Sequence, residues 1–414
     1  MVLVESATPT AAPAAPGRDR QPWQSGTPGR LAKFHVPEIL FGSGSLREAA
    51  HAAVRLGARR PLLVTDAGLR AAGWPEQLRR HLTDAGLCPV LWDGVTPNPK
   101  DHEIAAGHER YRAERCDVVV ALGGGSVIDA AKGVALLAGN GGDILDYEGV
   151  DRMTFPIPPL VMVPATSGTG ADVSQFCIVT DTRRNTKITI LGRTLVPDVS
   201  VVDPCLLTTM PDWLNAATGL DALTHGIEAF VSRAHNPLTD HHALQAISLV
   251  GAHLERTMDH PLEQEARVFM AQAALEAGLA FTNAILGAAH AMSHQVGGLL
   301  DLPHGVINGV LLPHVIRFNA AADPTRFVPI ARALGLPGPE PDSAAGAREA
   351  ADWAAVEVRR LADELGVPRS LGEIGVTDAD VGRLATMTMA DACLTTNPRE
   401  ADRDDIEAVF RAAL

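Results

Sequence analysis

Acidic and imidazole side chains recur at helical spacing in two apolar stretches of the chain. Asp221 and His225 stand four residues apart in DALTH; His290 and His294 share that spacing in AHAMSH, and His304 follows in PHG. Residues four apart on a helix project from one face, so each pair can converge on one point. One carboxylate with two or three imidazoles suits Fe²⁺ or Zn²⁺. Polar groups in apolar surroundings need partners, so the spacing leaves a metal site and plain Asp–His pairing as alternatives.

A run of glycines ends the clearest strand-like segment. In CDVVVALGGGSVIDAAKG a continuous apolar run leads into residues 123–126 and then into an Ala-rich helical pattern. Without a Cβ, Gly124 and Gly125 let backbone N–H groups approach an anion, and the start of a helix adds favourable potential. The pattern is not GxGxxG, so a phosphate cradle and an ordinary strand-to-helix turn both remain open.

Two further loops could contact a nucleotide. Asp66 ends the strand-like run LLVTD, where a carboxylate can bind ribose hydroxyls and repel a 2′-phosphate, or can simply cap a helix. Thr166 and Thr169 lie in the hydroxyl-rich loop TSGTG, which follows the apolar run VMVP. This loop could bond phosphate or nicotinamide, or could be a turn.

The periodicity divides the chain into two folded halves. Residues 31–205 alternate short β-rich runs, at 59–68, 88–99, 116–123 and 161–164, with helical stretches, which predicts an α/β domain with a parallel sheet. Residues 206–414 show apolar spacing near 3.6 and few β-branched runs, which predicts an all-helical domain. The junction at 203–209 has no linker composition, so we expect a tight cleft between the halves, a common ligand site.

Composition limits the classes of partner. The 414 residues carry a formal net charge of −14, which argues against nucleic acid or an anionic membrane as the main partner. Five scattered cysteines without a CxxC pair fit a reducing compartment, and we expect a cytoplasmic protein. Residues 1–30 are rich in Ala, Pro and Gly and predict a disordered tail, in which Glu5 and the prolines break any signal-peptide pattern.

Taken together, these motifs resemble the iron-containing (group III) alcohol dehydrogenase family. The resemblance covers about residues 34–414 and rests on ordered stretches at family-like spacing: FGSGSL (41–46), TPNP (96–99), GGGSVIDAAK (123–132), PATSGTGADVS (164–174), DALTHGIEAF (221–230), AHAMSHQVGG with PHG (289–305), LLPHVIRFN (311–319) and TNPRE (396–400). It implies a Rossmann-like dinucleotide-binding domain followed by an all-α metal-binding domain, the dehydroquinate-synthase-like fold.

The resemblance implies a choice of ligands that the spacing does not make. Spacing alone favours His290 and His294 as a ligand pair. In the family the metal, Fe²⁺ or alternatively Zn²⁺, is held by residues matching Asp221, His225, His290 and His304. His294 matches a histidine that faces the nicotinamide and substrate without binding metal.

The resemblance also implies a binding site for NAD(H). Pyrophosphate contacts fall on Gly124, Gly125 and Ser126, and further cofactor contacts fall on Asn98, Thr166, Thr169 and Lys187. Asp66 matches the position where an acidic residue favours NAD over NADP. Ala165 departs from the Thr of many relatives, which puts one hydroxyl contact to the cofactor in doubt.

The expected function is reversible hydride transfer between NAD(H) and a small primary alcohol or aldehyde, which could be a semialdehyde or phosphonoacetaldehyde. The resemblance implies a homodimer or a larger homo-oligomer, and Phe176, Cys177 and Phe281 are candidates to line the substrate pocket because they lie close to the motifs. Three alternatives stay open: a maleylacetate-reductase-like enzyme, a dehydroquinate-synthase-like enzyme on the same fold, and a non-catalytic protein that binds metal and nucleotide.

Overall fold

A parallel sheet forms the centre of the N-terminal half. The computed structural model describes residues 33–261, 263–337 and 343–414. The strands found there are β1 (Glu38–Phe41), β2 (Leu62–Asp66), β3 (Val90–Val95), β4 (Val119–Gly123), β5 (Gly149–Val150), β6 (Leu160–Pro164), β7 (Phe176–Asp181), β8 (Thr186–Leu191) and β9 (Val199–Val202). Six of them form one sheet in the order β1-β9-β6-β4-β2-β3, with every pairing parallel. The strands predicted from the four β-rich runs, now β2, β3, β4 and β6, are confirmed.

Helices cover both faces of this sheet. They are α1 (Glu48–Arg55), α2 (Ala67–Ala72), α3 (Trp74–Asp84), α4 (Asp101–Ala113) and α5 (Gly125–Asn140). Leu62 and Val64 pack into the same core cluster as the α5 side chains, whereas Leu63 packs with the side chains of α1 and α3. Both faces of β2 are therefore buried, which explains the apolar run at residues 62–64.

The strand order reverses between β2 and β4. The chain passes from β2 to β3 on one side and returns to β4 on the other side of β2. In open parallel sheets, ligands bind in the crevice at the carboxyl ends of the strands at such a reversal. Here those ends are Asp66 of β2 and Gly123 of β4.

A second, small sheet was not predicted. Strands β7 and β8 form an antiparallel hairpin, and β5 pairs in parallel with β8. The hairpin bonds back to the Pro-Asn-Pro loop through the N–H of Thr180, which donates to the Pro99 carbonyl oxygen at 2.8 Å. The hairpin therefore lies beside one of the predicted cofactor loops.

The described residues after β9 form only helices. A short 3₁₀ segment, Pro204–Thr209, leads into α6 (Asp212–Val231), α7 (Pro237–Asp259), α8 (Gln264–Ala284), α9 (Ala288–Leu300), α10 (His304–Ala320), α11 (Phe327–Ala333), α12 (Ala344–Glu364), α13 (Asp378–Thr388) and α14 (Arg403–Ala413). The predicted fold class, an α/β half followed by an all-α half, is confirmed. The exact division at residue 205 stays a prediction.

One expectation from the sequence concerns residues that the structure does not describe. The tail predicted for residues 1–30 lies outside the described residues. Among the described helices, none alone has the length and apolar character to cross a bilayer; α8 and α9 meet that test only jointly, with a bend of 102° between them.

Candidate active site

Three helices bring one carboxylate and three imidazoles together. Asp221 and His225 lie one turn apart on α6, with 3.9 Å between Asp221 Oδ1 and His225 Nε2. His290, from α9, places its Nε2 at 3.6 Å from the same Asp221 oxygen. His304 is the first residue of α10, and potential ligand atoms of Asp221, His290 and His304 all lie within 4.8 Å of one another. We call these four residues the tetrad.

The tetrad fits a borderline divalent ion. The ring of His290 stacks on His225 at a centroid distance of 4.5 Å and lies 5.0 Å from the ring of His304. Asp221, His225 and His290 are buried and His304 is partly buried, on helices whose other inward side chains are mostly apolar. Three imidazoles and one carboxylate are a donor set that Fe²⁺ and Zn²⁺ accept, and an ion would satisfy polar groups that are otherwise costly to bury.

Protonation in the tetrad follows from burial and from the neighbouring charges. Burial alone would raise the pKa of Asp221, but His225 and His290 hold that pKa well below its usual range. Burial lowers the pKa of His225 to about 4 and the pKa of His304 well below its usual value. Asp221 is therefore a carboxylate and these two imidazoles are neutral, the forms that bind metal.

His290 differs from the other two imidazoles. Burial lowers its pKa, but the neighbouring carboxylates of Asp221 and Glu228 outweigh burial and raise the pKa to about 9. Its Nδ1 donates to Glu228 Oε2 at 2.6 Å, which turns Nε2 towards Asp221. The ring thus lies between two carboxylates, and its orientation is set from the side opposite the tetrad.

Two more residues orient the tetrad, and our sequence reasoning missed both. Asn308 on α10 donates from Nδ2 to Asp221 Oδ1 at 2.8 Å, and its own Oδ1 is buried without a hydrogen-bond partner among the described residues. Glu228 lies on α6, three residues after His225. This helical spacing was the only feature of the sequence that could have linked Glu228 to the tetrad. In addition, Nδ1 of His225 donates to the Gly168 carbonyl oxygen at 3.3 Å, which leaves its Nε2 free to bind a ligand.

His294 lies beside the tetrad, but its ring bonds Asp391 and not a tetrad residue. Its ring stacks on His304 at a centroid distance of 5.1 Å, and its Nδ1 donates to Asp391 Oδ2 at 2.9 Å. Gln295 Nε2 donates to the same oxygen at 3.2 Å, and the N–H of Cys393 donates to the other oxygen of Asp391. The structure therefore groups His294 with Asp391 and Cys393, and it brings His304 rather than His294 close to Asp221 and His290.

Two of the three pocket candidates lie next to the tetrad. Phe281 stacks on His225 with 4.4 Å between ring centroids, and Phe176 packs against Phe281 at 5.7 Å. Cys177 does not join them, because neighbouring residues of a strand face opposite sides. Its side chain is buried against α5, where Sγ donates to the Asp129 carbonyl oxygen at 3.2 Å. The expectation that Cys177 lines the pocket is therefore wrong.

The glycine turn forms a tight cradle at the start of α5. Gly124 is the N-cap residue of α5, and a Cβ on it would lie 3.0 Å from Thr166 Cγ2. A Cβ on Gly125 would lie 3.0 Å from Thr169 Cγ2. The Thr166 hydroxyl is buried without a hydrogen-bond partner in the described part of the chain. Backbone donors at a helix start, with an unpartnered hydroxyl opposite, fit the pyrophosphate of a dinucleotide.

The remaining predicted cofactor residues line the same cleft. The N–H of Asn98 donates to Ser126 Oγ at 3.1 Å, and Asn98 Nδ2 donates to Asp301 Oδ1 of the α9–α10 loop at 2.6 Å. Lys187 on β8 lies against α9, where a Cβ on Gly297 would come within 3.1 Å of its Nζ. Burial lowers the pKa of Lys187 to about 8 although nearby carboxylates oppose the change.

Asp66 caps a helix, whether or not it also contacts a cofactor. Its side chain caps α2 by accepting from the N–H of Leu69 at 2.9 Å. It lies at the carboxyl end of β2, beside the point where the strand order reverses. Ala165 is buried in the loop after β6 and offers no hydroxyl there.

The loop after β6 is in direct contact with the tetrad. Gly168, in the loop after β6, packs so closely on α6 that a Cβ there would lie 2.1 Å from the Thr218 carbonyl oxygen. The same glycine carries the carbonyl that binds His225. The loop that follows β6, the strand next to β4 in the sheet, therefore reaches from the edge of the sheet to the tetrad.

Comparisons with known proteins agree over both halves of the chain. A family model described as "Iron-containing alcohol dehydrogenase" matches residues 37–204, and one described as "Fe-containing alcohol dehydrogenase family, C-terminal" matches residues 215–414. A 1,3-propanediol dehydrogenase of Citrobacter freundii is 41% identical over 387 residues, which are 93% of this chain and 99% of the relative. An NAD-dependent methanol dehydrogenase of Bacillus methanolicus is 38% identical over 381 residues, which are 92% of this chain and 99% of the relative.

A solved structure shows the same architecture. The crystal structure of a 1,3-propanediol oxidoreductase matches with a TM-score of 0.89 and 40% identity, and the match covers 93% of this chain and 100% of the other. The comparisons thus favour an alcohol dehydrogenase over the dehydroquinate-synthase-like and non-catalytic alternatives.

Proposed function

The chain belongs to the iron-containing alcohol dehydrogenase family and is an oxidoreductase, and we propose that it interconverts a small primary alcohol and its aldehyde with NAD(H) and a divalent metal ion. The observation that carries the proposal is the tetrad, in which ligand atoms of Asp221, His290 and His304 lie within 4.8 Å of one another while His225 bonds the loop after β6. The relatives named for 1,3-propanediol and for NAD-dependent methanol oxidation support the reaction class.

Asp221, His225, His290 and His304 would hold the ion, with Fe²⁺ as our proposal and Zn²⁺ as the alternative. When bound, such an ion acts as a Lewis acid that lowers the pKa of an alcohol and stabilises developing negative charge on its oxygen. The protein keeps Asp221 ionised and His225 neutral without further help. Phe281 stacks on His225 and covers one face of its ring.

The cradle would hold NAD(H), which supplies hydride transfer at its nicotinamide ring. The N–H groups of Gly124, Gly125 and Ser126 lie at the start of α5, where a pyrophosphate gains hydrogen bonds and favourable helix potential. We expect the Thr166 hydroxyl and the Asn98, Thr169 and Lys187 side chains to add contacts along the cleft. We propose that Asp66 favours NAD over NADP, because its carboxylate would repel a 2′-phosphate.

We propose His294 as the group that exchanges a proton with the substrate hydroxyl. Its Nδ1 is engaged with the carboxylate of Asp391, which leaves Nε2 to accept or release a proton. Its ring stacks on His304, so it lies at the edge of the proposed metal site without being a ligand. The role requires the ring to be held still, and Asp391 provides that restraint.

The test is a nicotinamide absorbance assay on metal-free protein reloaded anaerobically with Fe²⁺ or Zn²⁺. We would offer NAD with 1,3-propanediol and methanol, and NADH or NADPH with short aldehydes, a semialdehyde and phosphonoacetaldehyde. Metal-dependent turnover with NADH preferred over NADPH is the expected result, and the ion that restores the higher rate identifies the effective metal. Turnover that is independent of metal would refute the role of the tetrad.

A pair of histidine variants gives a matched control. His290→Ala should lose metal and activity together, because a donor and its hydrogen bond to Glu228 disappear. His253→Ala removes an imidazole that stacks on Phe269, remote from the tetrad, and should keep both. Full metal stoichiometry in His290→Ala would contradict the ligand assignment.

We propose that the protein is cytoplasmic and that it forms a homodimer or a larger homo-oligomer. The cellular location is tested by fractionation, and the oligomeric state by light scattering in solution. A species with the mass of a single chain at assay concentration would contradict the dimer.

A further inference from the structure

A buried carboxylate that stands outside the tetrad has an unusual number of partners. Glu228 on α6 is only 2% exposed, and both of its oxygens accept hydrogen bonds from the start of α9. We propose that Glu228 is a positioning residue, which holds His290 in the ring orientation and tautomer that a divalent ion requires. The inference rests on the proposed function, because it assumes that the tetrad binds metal.

The contacts divide between the two oxygens. Oε2 accepts from His290 Nδ1 at 2.6 Å, from the N–H of Gly287 at 3.1 Å and from the N–H of His290 at 3.4 Å. Oε1 accepts from the N–H of Ala289 at 2.7 Å. Every contact made by this carboxylate is therefore with a donor, and the ring nitrogen is the closest of them.

This arrangement decides which nitrogen of His290 is available to a metal. A carboxylate can only accept, so Nδ1 must carry the hydrogen, and a neutral ring then has its lone pair on Nε2. That nitrogen lies 3.6 Å from Asp221 Oδ1, inside the tetrad. Carboxylates that bond the outer nitrogen of a metal-binding histidine increase its basicity and fix its orientation.

The Glu228 carboxylate also caps α9. An experiment must therefore separate the capping of α9 from the orientation of the His290 ring. The space around it is filled, because a Cβ on Gly287 would lie 2.9 Å from Oε1. Asn397, in the TNPRE stretch, shares the capping duty by accepting from the N–H of Ala288 at 3.0 Å. The described contacts of Asn397 include no bond to the ring of His290 or to any other tetrad side chain. Asn397 is therefore the matched control for capping without ring orientation.

The experiment compares Glu228→Gln and Asn397→Ala with the wild type. Glutamine keeps the shape but has one acceptor oxygen and an NH₂ group, so in either orientation the NH₂ faces a donor of α9. We would measure the dissociation constants of Zn²⁺, and of Fe²⁺ without oxygen, by chelator competition on metal-free protein. Urea denaturation of the same samples reports the loss of capping.

Glu228→Gln should weaken metal binding by about 10- to 100-fold, the range found for such supporting contacts. Asn397→Ala should lower the urea midpoint while leaving the dissociation constants unchanged. Equal affinities in the wild type and Glu228→Gln would overturn the role of Glu228 alone. Equal weakening in both variants would also overturn it, since the effect would then arise from α9 as a whole.

A measurement on the wild type covers the case in which Glu228→Gln does not fold. In the Zn²⁺-loaded protein with ¹⁵N-labelled histidine, nitrogen chemical shifts report the tautomer of His290, whose ring signals are assigned by through-bond correlation to its own backbone resonances. A protonated Nδ1 supports the proposal, and an unprotonated Nδ1 overturns it. A wild-type protein that binds neither ion stoichiometrically would overturn the proposed metal site and this inference together.

Discussion

Replacing Asp66 by Asn separates its charge from its capacity to cap a helix. In the structure the carboxylate accepts from the N–H of Leu69 at 2.9 Å and so begins α2. Asn is as good an N-cap residue as Asp, whereas Ala costs about 1 kcal/mol at such positions. Asp66→Asn should therefore leave the free energy of unfolding unchanged within about 0.5 kcal/mol, and Asp66→Ala should lower it by about 1 kcal/mol.

The effect on the cofactor should be large by comparison. Asp66 is partly exposed, so the low end of each contribution applies. Loss of a charge-assisted hydrogen bond to a ribose hydroxyl of NADH costs about 1.5 kcal/mol. Relief of repulsion with a 2′-phosphate contributes about 1 kcal/mol for unit charges 4 Å apart in a water-like medium. Together these changes shift the preference for NADH over NADPH by roughly 60-fold, at about 1.4 kcal/mol per tenfold.

The assay measures kcat/KM for NADH and for NADPH with one aldehyde held at saturation. It is run on the wild type and both Asp66 variants after urea denaturation has established their stabilities. Asn retains some capacity to bond a ribose, so a fall of the preference by roughly tenfold is the smallest change that supports the reasoning.

An unchanged preference in a stable Asp66→Asn protein would refute it. Asp66 would then be a helix cap and nothing more, the alternative that the sequence left open. A loss of activity with both cofactors in Asp66→Ala alone would point to the start of α2 and not to recognition of the ribose.

Three further predictions concern other parts of the molecule. Asp391→Asn should lower kcat by roughly 10- to 150-fold with little change in KM, because a charge-assisted bond to His294 is worth about 1.5–3 kcal/mol; an unchanged kcat in steady-state assays would contradict this. Burial raises the pKa of Asp129 to about 7 from 3.8, so the folded state holds this proton more tightly and stability should fall as the pH rises between those values. Urea midpoints across that range should fall less steeply in Asp129→Asn, and an identical slope would contradict the assignment. Iodoacetamide should label Cys88 first in the native protein, because it is exposed while burial holds the pKa of the Cys393 thiol well above its usual value; mass spectrometry showing early labelling of Cys393 would contradict it.

Local patterns in the sequence predicted the large sheet well. Residues 62–64 of β2 and the runs that became β4 and β6 are apolar because helices cover both faces of the sheet, and that composition is visible without knowing the partners. The turn from β4 into α5 was also predicted, from its run of glycines. The structure shows why glycine stands there, since a Cβ on Gly124 or Gly125 would lie 3.0 Å from Thr166 or Thr169. The small sheet of β5, β7 and β8 was not predicted. The two residues of β5 are too few to show a strand period.

Within the active site, the sequence determined the residues that neighbour one another on a helix. Asp221 and His225 were paired correctly from their spacing, and they share one face of α6. Spacing alone favoured His294 as the companion of His290, and the structure instead brings His304 to His290 and Asp221, because that choice depends on where α10 starts in space. The family resemblance indicated His304, and the tertiary structure brings His304 to Asp221 while His294 reaches Asp391, 97 residues away.

The supporting residues were decided by tertiary structure alone. Asn308 bonds Asp221 across 87 residues of sequence, and Glu228 bonds His290 across 62. A helical period records which face of a helix is buried, but it does not record which polar side chain of another helix meets that face. The sequence therefore shows which residue types could bind a metal ion, whereas the orientation of their side chains is decided only where α6, α9 and α10 pack together.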